Sequence, residues 1–441
     1  MNWEFSTFGK NLCEGSGIGE LMDDLGEALA GGDDMRMLGG GQPAHVPEMD
    51  SVWRRRMKEI MAEEGGLEKM LGNYDVPAGN EAFRKALAGL FKKEFGWEVT
   101  HENFAVTMGG QTAFFFLFNA FAGRFPDGRR KKILLPLLPE YIGYANQAVG
   151  EDFFEAIPAK IEKLGDHSFK YRVDFEALDP GDDIAAICVS RPTNPSGNVL
   201  TDEEVEKLRA IAKGRGIPLI IDNAYGAPFP SVIFSEVNPV WDEDMILTLS
   251  LSKIGLPGTR TGIVVASKEV CKAVSSMTSI IGLANGNVGT EIMRPLIESG
   301  EVLRLSKEVV KPFYQVRSKQ AQEWLTQYFG EKFPYFVHRS EGALSSPSQT
   351  SPQRPAKNRW RHRPSALESL AAPHPRTPRP APSPPHRRGT YTSPDARSAM
   401  HVVLGPFDRL PHLAESIIAL EEELHPIPHR LQRRSVSRKT T

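Results

Sequence analysis

Between residues 100 and 270 the chain alternates two hydrophobic periods. Six short apolar runs, FAVTM, KKILLPL, IAAICVS, IPLIIDN, MILTLSL and TGIVVAS, have the length and β-branched content of buried strands. Amphipathic stretches of helical period lie between several of them. The best signalled is TDEEVEKLRAIAKGRG, where Thr201 caps the start, acids fill the first turn, and Gly214 and Gly216 end it. This alternation predicts an α/β fold, a three-layer sandwich whose central sheet is mostly parallel and covered on both faces. Sheets of that kind bind ligands beyond the carboxyl ends of their strands. Polar clusters fall there: GGQT after Val106, RPTNPSG after Ser190, DNAYG after Ile221 and SLSK after Leu247.

Residues 300–332 read as one long helical stretch, and then the pattern breaks. From Ser345 to Ser398 there are 12 of the chain's 34 prolines, nine arginines, one lysine and two acids, and no Ile, Val or Phe. Such a segment buries too little apolar surface to offset its ordering entropy, so it is expected to be disordered. Helical period returns in HLAESIIALEEELH, followed by a basic tail.

Charge and cysteine usage narrow the class. The formal net charge of −2 gives no whole-chain argument for nucleic acid or an anionic membrane, and the arginine-rich segment has few aromatics to stack bases. Cys13, Cys188 and Cys271 have no metal-ligand spacing, which suits a reducing compartment. No signal-peptide pattern or membrane-length apolar run is evident, so a cytoplasmic protein is expected.

Taken singly, the polar clusters are ambiguous. GGQT opens a helix and suits a phosphate, or is an ordinary strand-to-helix turn. Asp222 ends an apolar strand and needs a cation or strong donor, as a site carboxylate or as a structural ion pair. Asn194 lies in good turn chemistry, Tyr141 can cover a planar ring or simply pack, and Tyr225 can add a hydroxyl near Asp222. Lys253 has Arg260, Ser250 and Ser252 nearby, and positive charge or desolvation would depress its pKa as a nucleophile requires.

Their order is specific. A Gly-rich loop, an aromatic, Asn-Pro-x-Gly, Asp-x-x-Tyr and Ser-x-Ser-Lys with a downstream Arg-x-Gly each follow a strand. From about residue 5 to Leu344, stretches such as NYDVPAGNEAFRKAL, GGQTAFFFLFNAFAGR, PEYIGYA, GIPLIIDNAYGAPFP and LSLSKIGLPGTRTGI make the chain resemble the fold-type I pyridoxal-phosphate aminotransferases. The resemblance implies pyridoxal 5'-phosphate held as an aldimine on Lys253, with Asp222 on the ring nitrogen and Asn194 and Tyr225 on the ring oxygen. It places Tyr141 on the ring face, and Gly110, Gln111, Thr112, Ser250 and Arg260 around the phosphate. It implies a homodimer in which Tyr74 reaches the other subunit's phosphate, and substrate contacts from Gly40, Gly41 and Asn194. The implied reaction is transamination between L-valine or L-alanine and a 2-oxo acid such as pyruvate, with Lys253 as general base and then acid.

The corresponding division is an N-terminal arm (1–45), a large cofactor-binding domain (46–300, of which 46–95 packs partly with the small domain), a connecting helix and start of the small domain (301–344), the Pro/Arg-rich segment (345–398) and a C-terminal helix with basic tail (399–441). The family's aromatic strand after EGA is missing here, which reads as an out-of-frame or inserted segment from Ser345 to about Arg397. Its late arginine for the substrate carboxylate has no assigned counterpart; His401 and Arg397 lie nearest. Two other outcomes follow from that damage and from the breadth of the scaffold: a lyase or decarboxylase on the same cofactor, or a protein that binds the cofactor without turnover.

Overall fold

Strands buried on both faces build the middle of the molecule. The computed structural model describes residues 3–13, 16–30, 42–330, 335–343, 347–349 and 402–403. Their strands, in chain order, are β1 (Phe104–Thr107), β2 (Gly123–Arg124), β3 (Arg130–Leu138), β4 (Phe154–Pro158), β5 (Lys160–Lys163), β6 (Ser168–Arg172), β7 (Ile184–Ser190), β8 (Leu219–Asp222), β9 (Met245–Ser250), β10 (Gly262–Val265), β11 (Phe336–His338), β12 (Pro347–Gln349) and β13 (Val402–Val403). The six apolar runs become β1, β3, β7, β8, β9 and β10.

The large sheet has the order β1-β10-β9-β8-β7-β3-β2, with β4 also on β3. The pairings β4–β3, β3–β7, β7–β8 and β8–β9 are parallel. β10 runs antiparallel to both of its neighbours, β9 and β1. A second, smaller sheet has the order β13-β12-β11-β6-β5.

Alternate side chains go to opposite faces. Ile187 and Val189, Leu219 and Ile221, Leu247 and Leu249, Ile263 and Val265 join one core cluster with the Pro47–Ala62, Glu81–Phe95 and Val288–Glu298 helices. Cys188, Ile220, Ile246 and Val264 join the other, with Phe114, Phe116 and Phe118 of the Gly110–Phe121 helix. Each large side chain so buried contributes about 1.5–3 kcal/mol.

Local signals set the helix ends. The Asp202–Gly214 helix carries a capping box: Glu204 N–H donates to Thr201 Oγ1 at 3.2 Å, and Thr201 N–H donates to Glu204 Oε2 at 2.9 Å. The chain leaves it through Gly216 at φ 64°. The helical stretch from Glu301 to Phe329 includes a π-helical segment at Ser306–Val310 just before Pro312, which has no N–H to donate backwards. No helix among the described residues is long and apolar enough to cross a membrane. Most of the Pro/Arg-rich segment, and the C-terminal helix and tail, lie outside the described residues; β12 falls within the first.

Candidate active site

Parallel strands deliver their last residues to one edge of the sheet. Ser190 ends β7, Asp222 ends β8 and Ser250 ends β9. The Gly110–Phe121 helix starts at the same edge, after β1, and points its first N–H groups there. The result is a cavity of about 150 Å3 lined by Gly110, Gln111, Tyr141, Asn194, Asp222, Tyr225, Ser250, Lys253 and Arg260, with Phe114, Ser190 and Thr248 also on its wall.

Asp222 is the acidic end of the cavity. Its buried carboxylate accepts from the Tyr144 hydroxyl at 2.7 Å, the Ala224 N–H at 2.8 Å and the Thr248 hydroxyl at 3.4 Å. Burial raises its pKa, and these three donors and the Lys253 charge oppose the rise.

Lys253 lies in the 3-10 turn Leu251–Ile254 that follows β9. It is half-buried, with Nζ 5.0 Å from the centre of the Tyr225 ring. Desolvation lowers its pKa to about 8; Asp222 opposes that shift and Arg260 adds to it. Among the described residues no hydrogen bond reaches Lys253 Nζ, the Asn194 amide or the Tyr225 hydroxyl. Three polar groups therefore converge on the cavity with their hydrogen-bonding capacity unused, which is the mark of a ligand site rather than a packed core.

The other end is cationic. Arg260, in left-handed backbone at φ 47°, lays its guanidinium over Gly109. A Cβ on Gly109 would lie 2.1 Å from Arg260 Nη2, and Gly109 itself has φ 87°. Ser250 Oγ accepts from Ser252 N–H at 3.2 Å, leaving its hydrogen free to donate. Helix N–H groups, hydroxyl and guanidinium together suit a phosphate. Gly109→Ala is expected to lower stability by about 1–3 kcal/mol, read as the denaturation midpoint. In an Arg260→Ala background the cost should shrink to the backbone part alone.

Tyr141 is held at the cavity wall by its hydroxyl, which donates to Gln111 Oε1 at 3.3 Å, and by an edge-on contact with Tyr144. Burial raises the pKa of both Tyr141 and Tyr225. Of the remaining candidates, Thr112 turns its hydroxyl back to the Met108 carbonyl at 3.2 Å, so only its backbone faces the helix start. Tyr74 is away from the cavity, 85% exposed. Gly40, Gly41, Arg397 and His401 lie outside the described residues.

Four contributors escaped the sequence reading: Tyr144, Thr248, Glu140 and Ser190. Tyr144 carries the shortest hydrogen bond to Asp222 and stands in the PEYIGYA stretch, three positions after Tyr141. Thr248 is on β9 directly across from Asp222. Glu140 Oε1 accepts from the Ser190 N–H at 2.9 Å, and Glu140 Oε2 lies 2.5 Å from Ser190 Oγ.

Comparison with known proteins identifies the family and agrees with the fold. The family model for aminotransferase class I and II matches residues 38–284. The valine–pyruvate aminotransferase of Escherichia coli (strain K12) is 47% identical over 340 residues, 77% of this chain and 81% of that protein. The crystal structure of valine-pyruvate aminotransferase from Salmonella typhimurium LT2 superposes with a TM-score of 0.68 at 45% identity, over 76% of this chain and 82% of that one. The aspartate aminotransferase of Thermus thermophilus, at 22% identity, shares the fold with a TM-score of 0.62 over 81% of this chain and 87% of that one. With a family model matched over more than half of its length and a relative 47% identical over 77% of it, the chain belongs to the class I and II aminotransferases.

Proposed function

We propose that this protein transfers an amino group between L-valine or L-alanine and a 2-oxo acid, the forward reaction being L-valine and pyruvate to 3-methyl-2-oxobutanoate and L-alanine. The observation that carries the chemistry is the convergence of the Lys253 amine, the Asn194 amide and the Tyr225 hydroxyl, none of these side-chain groups hydrogen-bonded among the described residues, on a cavity closed by buried Asp222. The substrate pair is drawn from the names of the relatives.

The donor set fits pyridoxal 5'-phosphate. Asp222 suits the ring nitrogen, Tyr225 and Asn194 the ring oxygen, and Tyr141 the ring face. The N–H groups of Gly110, Gln111 and Thr112, with Ser250 and Arg260, suit the phosphate. When bound, that cofactor supplies the electron sink that allows the substrate Cα–H bond to break.

The chain does the rest. Lys253 Nζ is the amine of the cavity, and its lowered pKa leaves a useful neutral fraction near pH 8. It accepts the Cα proton and later returns it, as base and then acid. Asp222 would hold positive charge at the ring nitrogen of the bound cofactor, from a water-poor site where a carboxylate acts strongly. Tyr141 and Phe114 exclude water from one wall.

A homodimer completes the reading. Tyr74, Val76, Ile280, Ile281 and Leu283 are exposed on two segments tied together by hydrogen bonds of Asn285 to the Pro77 carbonyl and Asn287 to the Asn73 carbonyl. An apolar patch of that kind favours a protein partner. A second copy covering it would bring Tyr74 to the neighbouring phosphate end. Gly40 and Gly41 are assigned to the substrate side, residues 46–300 to cofactor binding, and 301–344 to the passage into the small domain.

The test is incubation of full-length protein with pyridoxal phosphate, L-valine and pyruvate, following L-alanine. Alanine should form together with 3-methyl-2-oxobutanoate. Release of ammonia or carbon dioxide instead would move the assignment to a lyase or decarboxylase. A cofactor absorbance band that ignores both amino acids would leave only binding.

A further inference from the structure

We propose that Glu140 is a positioning residue that keeps a proton and, through Ser190 and Tyr144, fixes Asp222 as the anion facing the bound cofactor. The part concerning the cofactor rests on the reading above; the proton count among the side chains does not.

Four buried side chains form a single file. Glu140 Oε2 is 2.5 Å from Ser190 Oγ, Ser190 Oγ is 3.1 Å from Tyr144 Oη, and Tyr144 Oη is 2.7 Å from Asp222 Oδ2. These three contacts need three hydrogens. Ser190 and Tyr144 bring one each, so the third must sit on a carboxyl group. With both carboxyls ionised, one contact would join two lone pairs, and two like charges would share a buried site. With both protonated, one hydrogen would have no acceptor in the file.

The surroundings decide which end keeps the proton. Asp222 has further donors in Ala224 N–H and Thr248, and the Lys253 charge stands nearby. Glu140 is 2% exposed and forms no ion pair among the described residues; its backbone donors, the N–H groups of Ser190 and Tyr141, bring no cation to match Lys253, and the Ser190 N–H on Oε1 suits the carbonyl oxygen of a neutral acid. The donors therefore run Glu140 to Ser190 to Tyr144 to Asp222, and the negative charge rests on Asp222. Burial pushes the Glu140 carboxyl up to about 8, in agreement, and the neighbouring Cys188 thiol is pushed up as well and stays neutral.

The test reads the proton directly. An infrared difference spectrum of full-length, cofactor-free protein at neutral pH, wild type against Glu140→Gln, should show loss of a carboxylic-acid carbonyl band. Loss of carboxylate bands instead overturns the proposal. If Glu140→Gln does not fold, Ser190→Ala serves: the acid band must shift because its acceptor is gone, and an unmoved band overturns the proposal. Pyridoxal-phosphate binding, followed by absorbance, supplies the second arm. Glu140→Ala should weaken it about tenfold. Glu140→Gln, which keeps an N–H donor toward Ser190, should restore most of that loss; a glutamine variant as weak as the alanine variant overturns the proposal. Failure of wild-type protein to bind the cofactor would refute the cofactor reading, while the infrared result would still decide where the proton sits.

Discussion

Replacing Lys253 with alanine is expected to lower the rate of transamination by about 10^3-fold or more, with the fold intact. The lysine holds up little of the structure: its Nζ touches the Tyr225 ring and forms no hydrogen bond among the described residues. Thermal unfolding should therefore move by no more than a few degrees while turnover collapses. A variant that keeps substantial activity would remove Lys253 from the mechanism. The same lysine sets a pH dependence. Its pKa is depressed from 10.5 to about 8, so capture of pyridoxal phosphate by the cofactor-free protein should rise with pH and level off near 8. An ordinary lysine would level off only above 10. The stability effect has a defined sign. The unfolded chain binds more protons at this residue between about 8 and 10.5, so its contribution to stability increases with pH through that window. The depressed value thus costs stability below 8 and favours the chemistry there.

Asp222→Asn is expected to cost about 10^2- to 10^3-fold in kcat. Asparagine has the shape of aspartate, and its carbonyl oxygen can still accept from Tyr144 or from Ala224 N–H and Thr248. What it loses is the charge. Comparing it with Asp222→Ala separates the two contributions. Alanine also leaves the Tyr144 hydroxyl, the Ala224 N–H and the Thr248 hydroxyl short of an acceptor, each unsatisfied donor costing about 1–3 kcal/mol. Stability should drop further in the alanine variant than in the asparagine variant, which keeps an acceptor on one side only, while cofactor affinity falls in both. Equal kcat for Asp222→Asn and wild type would show that charge at this position is not used.

The large sheet was legible because buried strands have a plain apolar signature. The direction of β10 was not: burial on both faces gives Gly262–Val265 the same composition whether it runs parallel or antiparallel. β5 was missed for the opposite reason, since all four residues of Lys160–Lys163 are exposed and carry no apolar alternation. At the site, Lys253 and Asp222 stood out as charges at the ends of apolar runs. Tyr144 and Glu140 did not, though both lie beside Tyr141. Their significance depends on approaches to Asp222 and Ser190 from far away in the chain, and only the pairing of β3 with β7 and β7 with β8 brings those segments together. Thr248 became a neighbour of Asp222 through the register of β8 on β9.

The reversal between β9 and β10 has a consequence for how such a site can change. Because β10 turns straight back along β9, the connection Leu251–Thr261 is short and is pinned at both ends by the same ladder of hydrogen bonds. It carries Lys253 at one end and Arg260 at the other. The amine and the guanidinium are thus mounted on a single bracket, and a shift of one drags the other. Tuning by substitution must therefore come from the far walls, from β7, β8 and the Gly110–Phe121 helix, whose residues can be exchanged one at a time without disturbing that mount.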